Sequence, residues 1–492
     1  MVILIYLFIF GHLYFLWYYF PLILYTTMTS EMSMPSDSVF RLIENVSQLR
    51  SANDRMAKYT YDQIQPSAGT ATGAGFTTGQ IRFKWEHAAT KWWFPSKCYL
   101  ELKCSLTQVG GNQLVSAAKV APNMDLVGNL FQQAEFQIGG KIVSRIGEYL
   151  PQVDVLKKRM KNSKAWLDGV GSSTVLMQPS AVDRRNVVIA VDNTNVATIE
   201  ATTGRNVKKF GLTWQPPLSI FDIDVLPCGR YELILTPETQ ANFQKYAIEQ
   251  VSFGAAVAPG VDYAFSVDSI LFYVCTAEAG RLDNKEYYID LESIKCQSTD
   301  GVGAPTTTQK AFDVSPSTSA LSVAFQDNRA GNDVRLSRTK FICAANTDAK
   351  LVDTAISQGE LGLISFFISY AGVNQPSPNI DPRFDPATPE DTTTRLYTET
   401  MMNSGLYWNP GSCESIEDYH ERGSFYHFNF PKDPSDQSTR VIVNSQFRAL
   451  AAVGGVAAQT ASFQLLLFEH YKQVARIVLQ DGRVVDVALQ DA

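Results

Sequence analysis

Apolar and polar residues alternate with a period of two along most of this chain, the pattern of pleated segments whose successive side chains point to opposite faces. Ile81, Phe83 and Trp85 alternate with charged neighbours, and the run from Cys98 to Leu106 repeats the pattern. A Pro/Gly turn at Leu226–Gly229 leads into a further strand that Pro237 stops. Shorter strands are predicted near Val187–Val191, Val207–Thr213 and Tyr246–Val257. From Phe265 a second series follows, through Val274, then Tyr287–Cys296, Leu321–Phe325, Val334–Cys343 and Leu361–Tyr370. Gly, Asn, Asp and Pro fill the gaps, which predicts an all-β sandwich. Gly139-Gly140 and Asp481-Gly482 sit between alternating runs as hairpin turns.

The stretch Gly423–Phe447 is the clearest two-strand unit. Tyr426, Phe428 and Phe430 share one face, with Phe425, His427 and Asn429 on the other. Pro431, Asp433, Pro434, Ser435 and Asp436 break the strand, and alternation resumes with Val441, Val443 and Phe447. The two strands are expected as a pair with one side buried against a second sheet.

Helical periodicity is confined to a few places. Over Tyr149–Leu167 an apolar stripe of Val153, Leu156, Met160 and Leu167 opposes Lys157, Lys158, Lys161 and Lys164, with Arg159 nearby. This basic side is expected to be a solvated face, because no aromatic or glycine interleaving accompanies it as single-stranded nucleic-acid binding would require. A narrower stripe between Ser36 and Gln65 predicts an amphipathic arm, and Thr393–Asn403 a short helix. Gly69–Gly79 reads as a flexible linker, and Ala258–Asp262 as the joint between two domains. Long loops at Gln297–Ser319 and Gly372–Thr394 are expected to be functional or interfacial. Residues 1–27 are almost unbroken apolar sequence, long enough to span a bilayer, yet no Lys or Arg precedes Arg41. Translated upstream sequence, with the working start at Met28, Met32 or Met34, is the preferred account, and a membrane anchor the alternative.

At 492 residues the chain needs more than one core. A net charge of −7 argues against a protein that coats nucleic acid directly. The seven cysteines are odd in number, widely spaced and without CxxC, so reduced buried thiols are expected. No P-loop, GxGxxG or GxSxG pattern stands in the required context. The five histidines lack HxH or HExxH spacing. The best ligand cluster is Cys413, Glu414, Glu417, Asp418, His420 and Glu421, which reads more simply as a solvated acidic loop. Asp222 and Asp224 could be imagined as acid and base, but their position before the Leu226–Gly229 turn favours turn capping. A Cys-His pair assembled from distant positions stays open. No catalytic, cofactor or metal residues are therefore assigned, and no cofactor is expected.

Several segments together carry a resemblance. The stretch GSFYHFNFPKDPSDQSTRVIVNSQF resembles the late part of the second jelly roll in major capsid proteins of polinton-like viruses, which are related more distantly to those of virophages. WWFPS followed by a long strand is similar to the opening of the first jelly roll, IGEYLPQVDVLKKRMKNSKAW to its helical insertion, and LPCGRYELILTP to its close. The resemblance implies an all-β chain with a few helical insertions, built as two consecutive jelly-roll sandwiches. Residues 1–34 would be an apolar leader, 35–75 an arm and linker, 76–260 the first jelly roll and 261–492 the second. It further implies a non-enzymatic major capsid protein of an icosahedral double-stranded DNA virus, located in the virion and assembled in a reducing host compartment. The implied partners are two further copies in a pseudo-hexagonal trimer, neighbouring capsomers, penton and minor capsid proteins, and an inner membrane touched through the N-terminal region, without sequence-specific nucleic-acid binding. The competing class is a membrane-anchored attachment or carbohydrate-binding β-sandwich protein.

Overall fold

The computed structural model describes residues 59–69, 79–108, 120–123, 125–174, 207–250, 263–278, 286–303, 307–327, 363–370, 373–380, 392–407, 423–429, 440–447 and 462–491, with a few short pieces between them. In the first half the main strands are β1 (Thr60–Ile64), β2 (Ile81–Glu86), β3 (Lys91–Trp93), β4 (Tyr99–Gln108), β5 (Phe131–Ile138), β6 (Lys141–Ile146), β7 (Val207–Trp214), β8 (Arg230–Pro237) and β9 (Tyr263–Glu278). The second half has β10 (Glu286–Gly303), β11 (Thr307–Asp313), β12 (Thr318–Asp327), β13 (Leu363–Tyr370), β14 (Val373–Ile380), β15 (Phe425–Asn429), β16 (Arg440–Phe447), β17 (Ser462–Gln480) and β18 (Arg483–Asp491). Two helices occupy matching places: α1 (Leu150–Lys161) follows β6, and α2 (Thr392–Asn403) follows β14.

Strand pairing repeats between the halves. One sheet of the first half runs β1-β9-β4-β7, the other β2-β8-β5-β6, with β3 joining β9 at its end. In the second half the orders are β10-β17-β12-β15 and β11-β16-β13-β14, with β18 joining β17. Setting β3 and β18 aside, and counting eight strands in each half, both read 1-8-3-6 facing 2-7-4-5, the antiparallel order of a jelly roll. The duplication is invisible in the sequence because the halves share strand order and facing pattern rather than residues.

Alternation explains which face each strand buries. Ile81, Phe83 and Trp85 of β2 are buried, while Arg82 and Lys84 point outward to Glu232 on β8. The first core joins the facing sheets through aromatic rings: Trp85 lies 5.1 Å from Phe272 of β9, and Trp93 stacks on Phe136 at 5.3 Å. The second sandwich has its own core of Leu321, Val323, Phe325, Phe366, Tyr426, Phe428, Val441, Val443, Leu465 and Leu467.

Several boundaries differ from expectation. The first sandwich does not close at residue 260, because β9, expected to open the second domain, pairs with β1 and β4 as the first sandwich's last strand. Its partners lie far away in sequence, so linker-like composition at 258–262 mislocated the cut. The joint falls between the end of β9 and the start of β10. The strand β1 likewise lies inside the segment expected to be an arm and linker. Over Tyr246–Val257, the described residues are the end of a helix, Gln240–Ala247, and a three-residue strand, Ile248–Gln250. The two strands of Gly423–Phe447 are not paired with each other. The first, β15, pairs with β12, and β16 pairs with β11 and β13, so the two strands lie in facing sheets. The strand expected at Val187–Val191, most of Val334–Cys343 and residues 1–58 lie outside the described residues.

Candidate functional site at the joint between the sandwiches

Most strands here bury one face, but β12, β15 and β17 bury two. Leu321, Val323, Phe325, Leu465, Leu467, Tyr426 and Phe428 enter the second core. Their neighbours Ala324, Leu466, Phe468 and Phe425 belong to the cluster continuous with the first sandwich. Burying each such large apolar side chain contributes about 1.5–3 kcal/mol, so this second face binds the halves together.

Polar contacts complete the joint. Ser293 on β10 donates to Ser219, which also meets Ser144 of β6 at 2.9 Å. Tyr149 bonds Ser298, whose Oγ also accepts from Gln464 at 3.0 Å. Arg338 donates to Glu238 at 2.6 Å and to the carbonyl of Asn129 at 2.7 Å. At the far end Lys141 pairs with Asp486 of β18 at 2.6 Å, Arg483 reaches Glu86 at 3.2 Å, and the Val484 amide donates to the Cys228 carbonyl. The C-terminal strand is thus strapped to the first sandwich.

The helix α1 is central to this joint, and its basic residues are not the solvated face the sequence suggested. Lys157, Lys158 and Arg159 are buried, leaving Lys161 and Lys164 exposed. Lys158 Nζ lies 2.6 Å from Asp125 and 2.7 Å from Asp154, and Asp154 also accepts from the Trp214 indole at 2.7 Å. Burial opposes the Lys158 charge, but the two carboxylates outweigh it and hold the ammonium above its ordinary range. Burial, with Asp154 beside it, pushes the Asp125 carboxyl well up. Gly128 is required here, since a Cβ would stand 2.5 Å from Asp125 Oδ2 and 2.7 Å from Asp154 Oδ2. Lys157 donates to the Pro217 carbonyl and shares Asp222 with Lys161, at 2.7 and 2.9 Å. Burial lowers the Lys157 ammonium despite Asp222. Arg159 lies over the Phe341 ring at 5.0 Å. The basic periodicity of α1 therefore marks buried charge pairing.

Asp222 is held by lysines, and Asp224 lies 3.4 Å from Ser96 Oγ, so the two are not arranged as an acid and base. Cys228 approaches His87 through the latter's carbonyl oxygen, not its ring. The described cysteines Cys98, Cys104, Cys228, Cys275 and Cys296 are free and buried. Burial pushes the Cys98 thiol up to about 12, although it accepts from the Trp93 indole at 2.9 Å. Such a thiol is inert at neutral pH. Among the described residues no three of His, Cys, Asp and Glu could hold a metal ion, and the 413–421 ligand cluster lies outside them. Among the same residues no helix is long and apolar enough to cross a membrane, and residues 1–27 are outside that statement.

What the sequence did not reveal is a buried histidine pair. Ser322 Oγ on β12 lies 2.8 Å from His427 Nδ1 on β15 and 2.8 Å from His470 Nε2 on β17. The rings meet edge to face at 5.1 Å. Burial lowers His427 to about 4 and holds His470 well below its ordinary range, with His427 and Lys161 adding to the effect. The single sequence signal is a polar residue at the inner phase of a strand, which becomes informative only once three strands are aligned.

No family model and no curated protein matches the sequence. Solved structures do match in shape. A chain of the Sputnik virophage cryo-EM structure superposes with a TM-score of 0.58 at 10% identity, covering 88% of each chain. The PBCV-1 virus capsid model gives 0.48 at 10% identity, over 89% of this chain and 98% of that one. The mavirus major capsid protein gives 0.47 at 12% identity, over 88% and 90%. With the repeated strand order above, the virophage match makes this chain a double jelly roll, two sandwiches of one topology joined through a sheet buried on both faces.

Proposed function

We propose that the chain is the major capsid protein of an icosahedral DNA virus, acting by assembly in the virion rather than by catalysis. The observation that carries this is the repeated topology together with the way its joint is made. Within the chain, the β10-β17-β12-β15 sheet meets α1 and the Ser219–Asp222 turn along β10, while α2 packs on β15. The equivalent face of the first sandwich, on β1-β9-β4-β7, carries Tyr99, Glu101, Lys103 and Tyr273, with Tyr99 stacked on Tyr273 at 5.1 Å and Tyr61, 51% exposed, beside them. The element equivalent to α1 in the second sandwich is α2, whose Met402 is exposed.

A neighbouring copy placing α2 on the tyrosine face would repeat the internal joint between chains. This is a head-to-tail contact, which closes into a ring when the rotation permits. Three copies then present six similar sandwiches, the pseudo-hexagonal capsomer that tiles a shell with penton and minor capsid proteins. Residues 1–34 are the segment available for contact with an inner membrane. The match to a virophage chain supports this reading through the shared fold. Sedimentation of the purified protein tests it: a trimer is expected, and Tyr99→Glu with Tyr273→Glu should yield folded monomer. A wild-type monomer at every concentration would refute it.

A further inference from the structure

A cavity of about 380 Å³ opens at the joint, beside the histidine pair, between α1 of the first sandwich and β10, β12, β15, β17 and the end of α2 in the second. At about 30 Å³ per water, it has room for about a dozen. Its ionic lining is predominantly cationic: Lys157 and Lys161 from α1 and Lys472 from β17, against one carboxylate, Glu292 on β10. Asp222 is shared by Lys157 and Lys161, which leaves that trio one positive charge in excess, and Glu292 faces Lys472 in the β10–β17 register. The site thus holds an uncompensated positive charge in a partly enclosed pocket, where a charge acts more strongly than in open water.

The second observation is His470. It is 4% exposed and lines the cavity, and its Nε2 is taken by Ser322. Among the described residues no hydrogen-bond partner stands at its Nδ1. The Ser322 hydroxyl has one proton to give, so it donates to one ring and accepts from the other. When it donates to His470 Nε2, the His470 proton sits on Nδ1 as a donor. Among neutral forms, an acceptor in the cavity selects that arrangement, and an anion does so most strongly because a charged acceptor makes the stronger bond.

We propose that this cavity is a binding site for a tetrahedral oxyanion of the phosphate or sulfate class, held by Lys161, Lys472 and His470 and bridging the two sandwiches. The ligand would join α1 of one sandwich to β17 of the other, fastening the joint by linkage. Free phosphate, a glycerophosphate headgroup and a nucleic-acid phosphodiester share this chemistry, and the test separates them.

The experiment is equilibrium dialysis of the purified full-length protein with radiolabelled inorganic phosphate at constant ionic strength. Competition is measured with sulfate, glycerol 3-phosphate and a deoxydinucleotide. One saturable site per chain is expected, with sulfate competing. Displacement by glycerol 3-phosphate points to a headgroup, by the dinucleotide to nucleic acid, and by neither to the free anion. Lys472→Gln, an exposed position, should weaken binding about tenfold without loss of folding, as should Lys161→Gln, which leaves the Lys157–Asp222 pair. Non-saturable binding, or affinity unchanged in both lysine variants, would overturn the proposal. Either result is independent of whether the protein forms trimers.

Discussion

Acid should loosen the joint between the sandwiches, and the size of the effect follows from His427. Its folded-state value is about 4 against an ordinary 6.5, because burial penalises the imidazolium. The folded protein therefore binds fewer protons than the unfolded chain between those values. Stability is full above 6.5, falls as the pH drops through the unfolded value, and stops falling near pH 4, where the folded form takes up its own proton. A difference of about 2.5 pH units at about 1.36 kcal/mol each sets a limit of about 3.4 kcal/mol, of which about 2 kcal/mol is lost by pH 5. His470, also held low, adds to this figure rather than opposing it. The assay is urea unfolding of wild type and His427→Gln at pH 7 and pH 5. The variant is expected to start less stable, having disturbed the bond to Ser322, yet to lose about 2 kcal/mol less than wild type on acidification. Hydrogen exchange at pH 5 should quicken first in β12, β15 and β17. Equal acid losses in the two proteins would refute the assignment of the pH dependence to this ring.

Three further outcomes are expected. Lys158→Met strips the counter-ion from Asp125 and Asp154, which are buried, and should cost about 3–5 kcal/mol, whereas adding Asp125→Asn and Asp154→Asn to it should recover part of that in thermal unfolding. Gly128→Ala forces a methyl against both carboxylates and should destabilise by about 1–3 kcal/mol, measured the same way, while an alanine at exposed Gly405 tests backbone strain alone, since nothing lies within 4 Å of its Cβ position. Phe468→Ala, on the face toward the first sandwich, should cost about 3–5 kcal/mol and Tyr288→Ala, on an exposed position, under about 0.5 kcal/mol by denaturant midpoints.

Much of the fold could be read from local pattern because strands declare themselves through alternation. The burial of Ile81, Phe83 and Trp85, the Gly139-Gly140 and Asp481-Gly482 hairpins, and the helices at 150–161 and 392–403 all follow from residues within a few positions of one another. Pairing between distant strands does not. The sequence around Phe265 looks like an opening because a linker precedes it, and only its register with β1 and β4 reveals a closing strand. Charge was misread for a related reason. Lysines at helical spacing mark a solvated face unless acidic partners arrive from elsewhere, and here Asp125 and Asp222 come from outside the helix. The buried histidines needed three strands to be aligned before His427, Ser322 and His470 became neighbours. The burial of β15 and β17 on both faces shows in their apolar content, Phe425–Phe428 and Leu465–Phe468 being nearly continuous runs, a sign of strands covered on both sides.

The central claim, that two like sandwiches in one chain build a six-sided capsomer from three chains, is tested most directly by imaging the purified protein in negative stain. Class averages with a hexagonal outline and threefold symmetry, lost in the Tyr99→Glu, Tyr273→Glu variant, are the expected result. Compact single particles of one chain's size, unchanged by those substitutions, would contradict it.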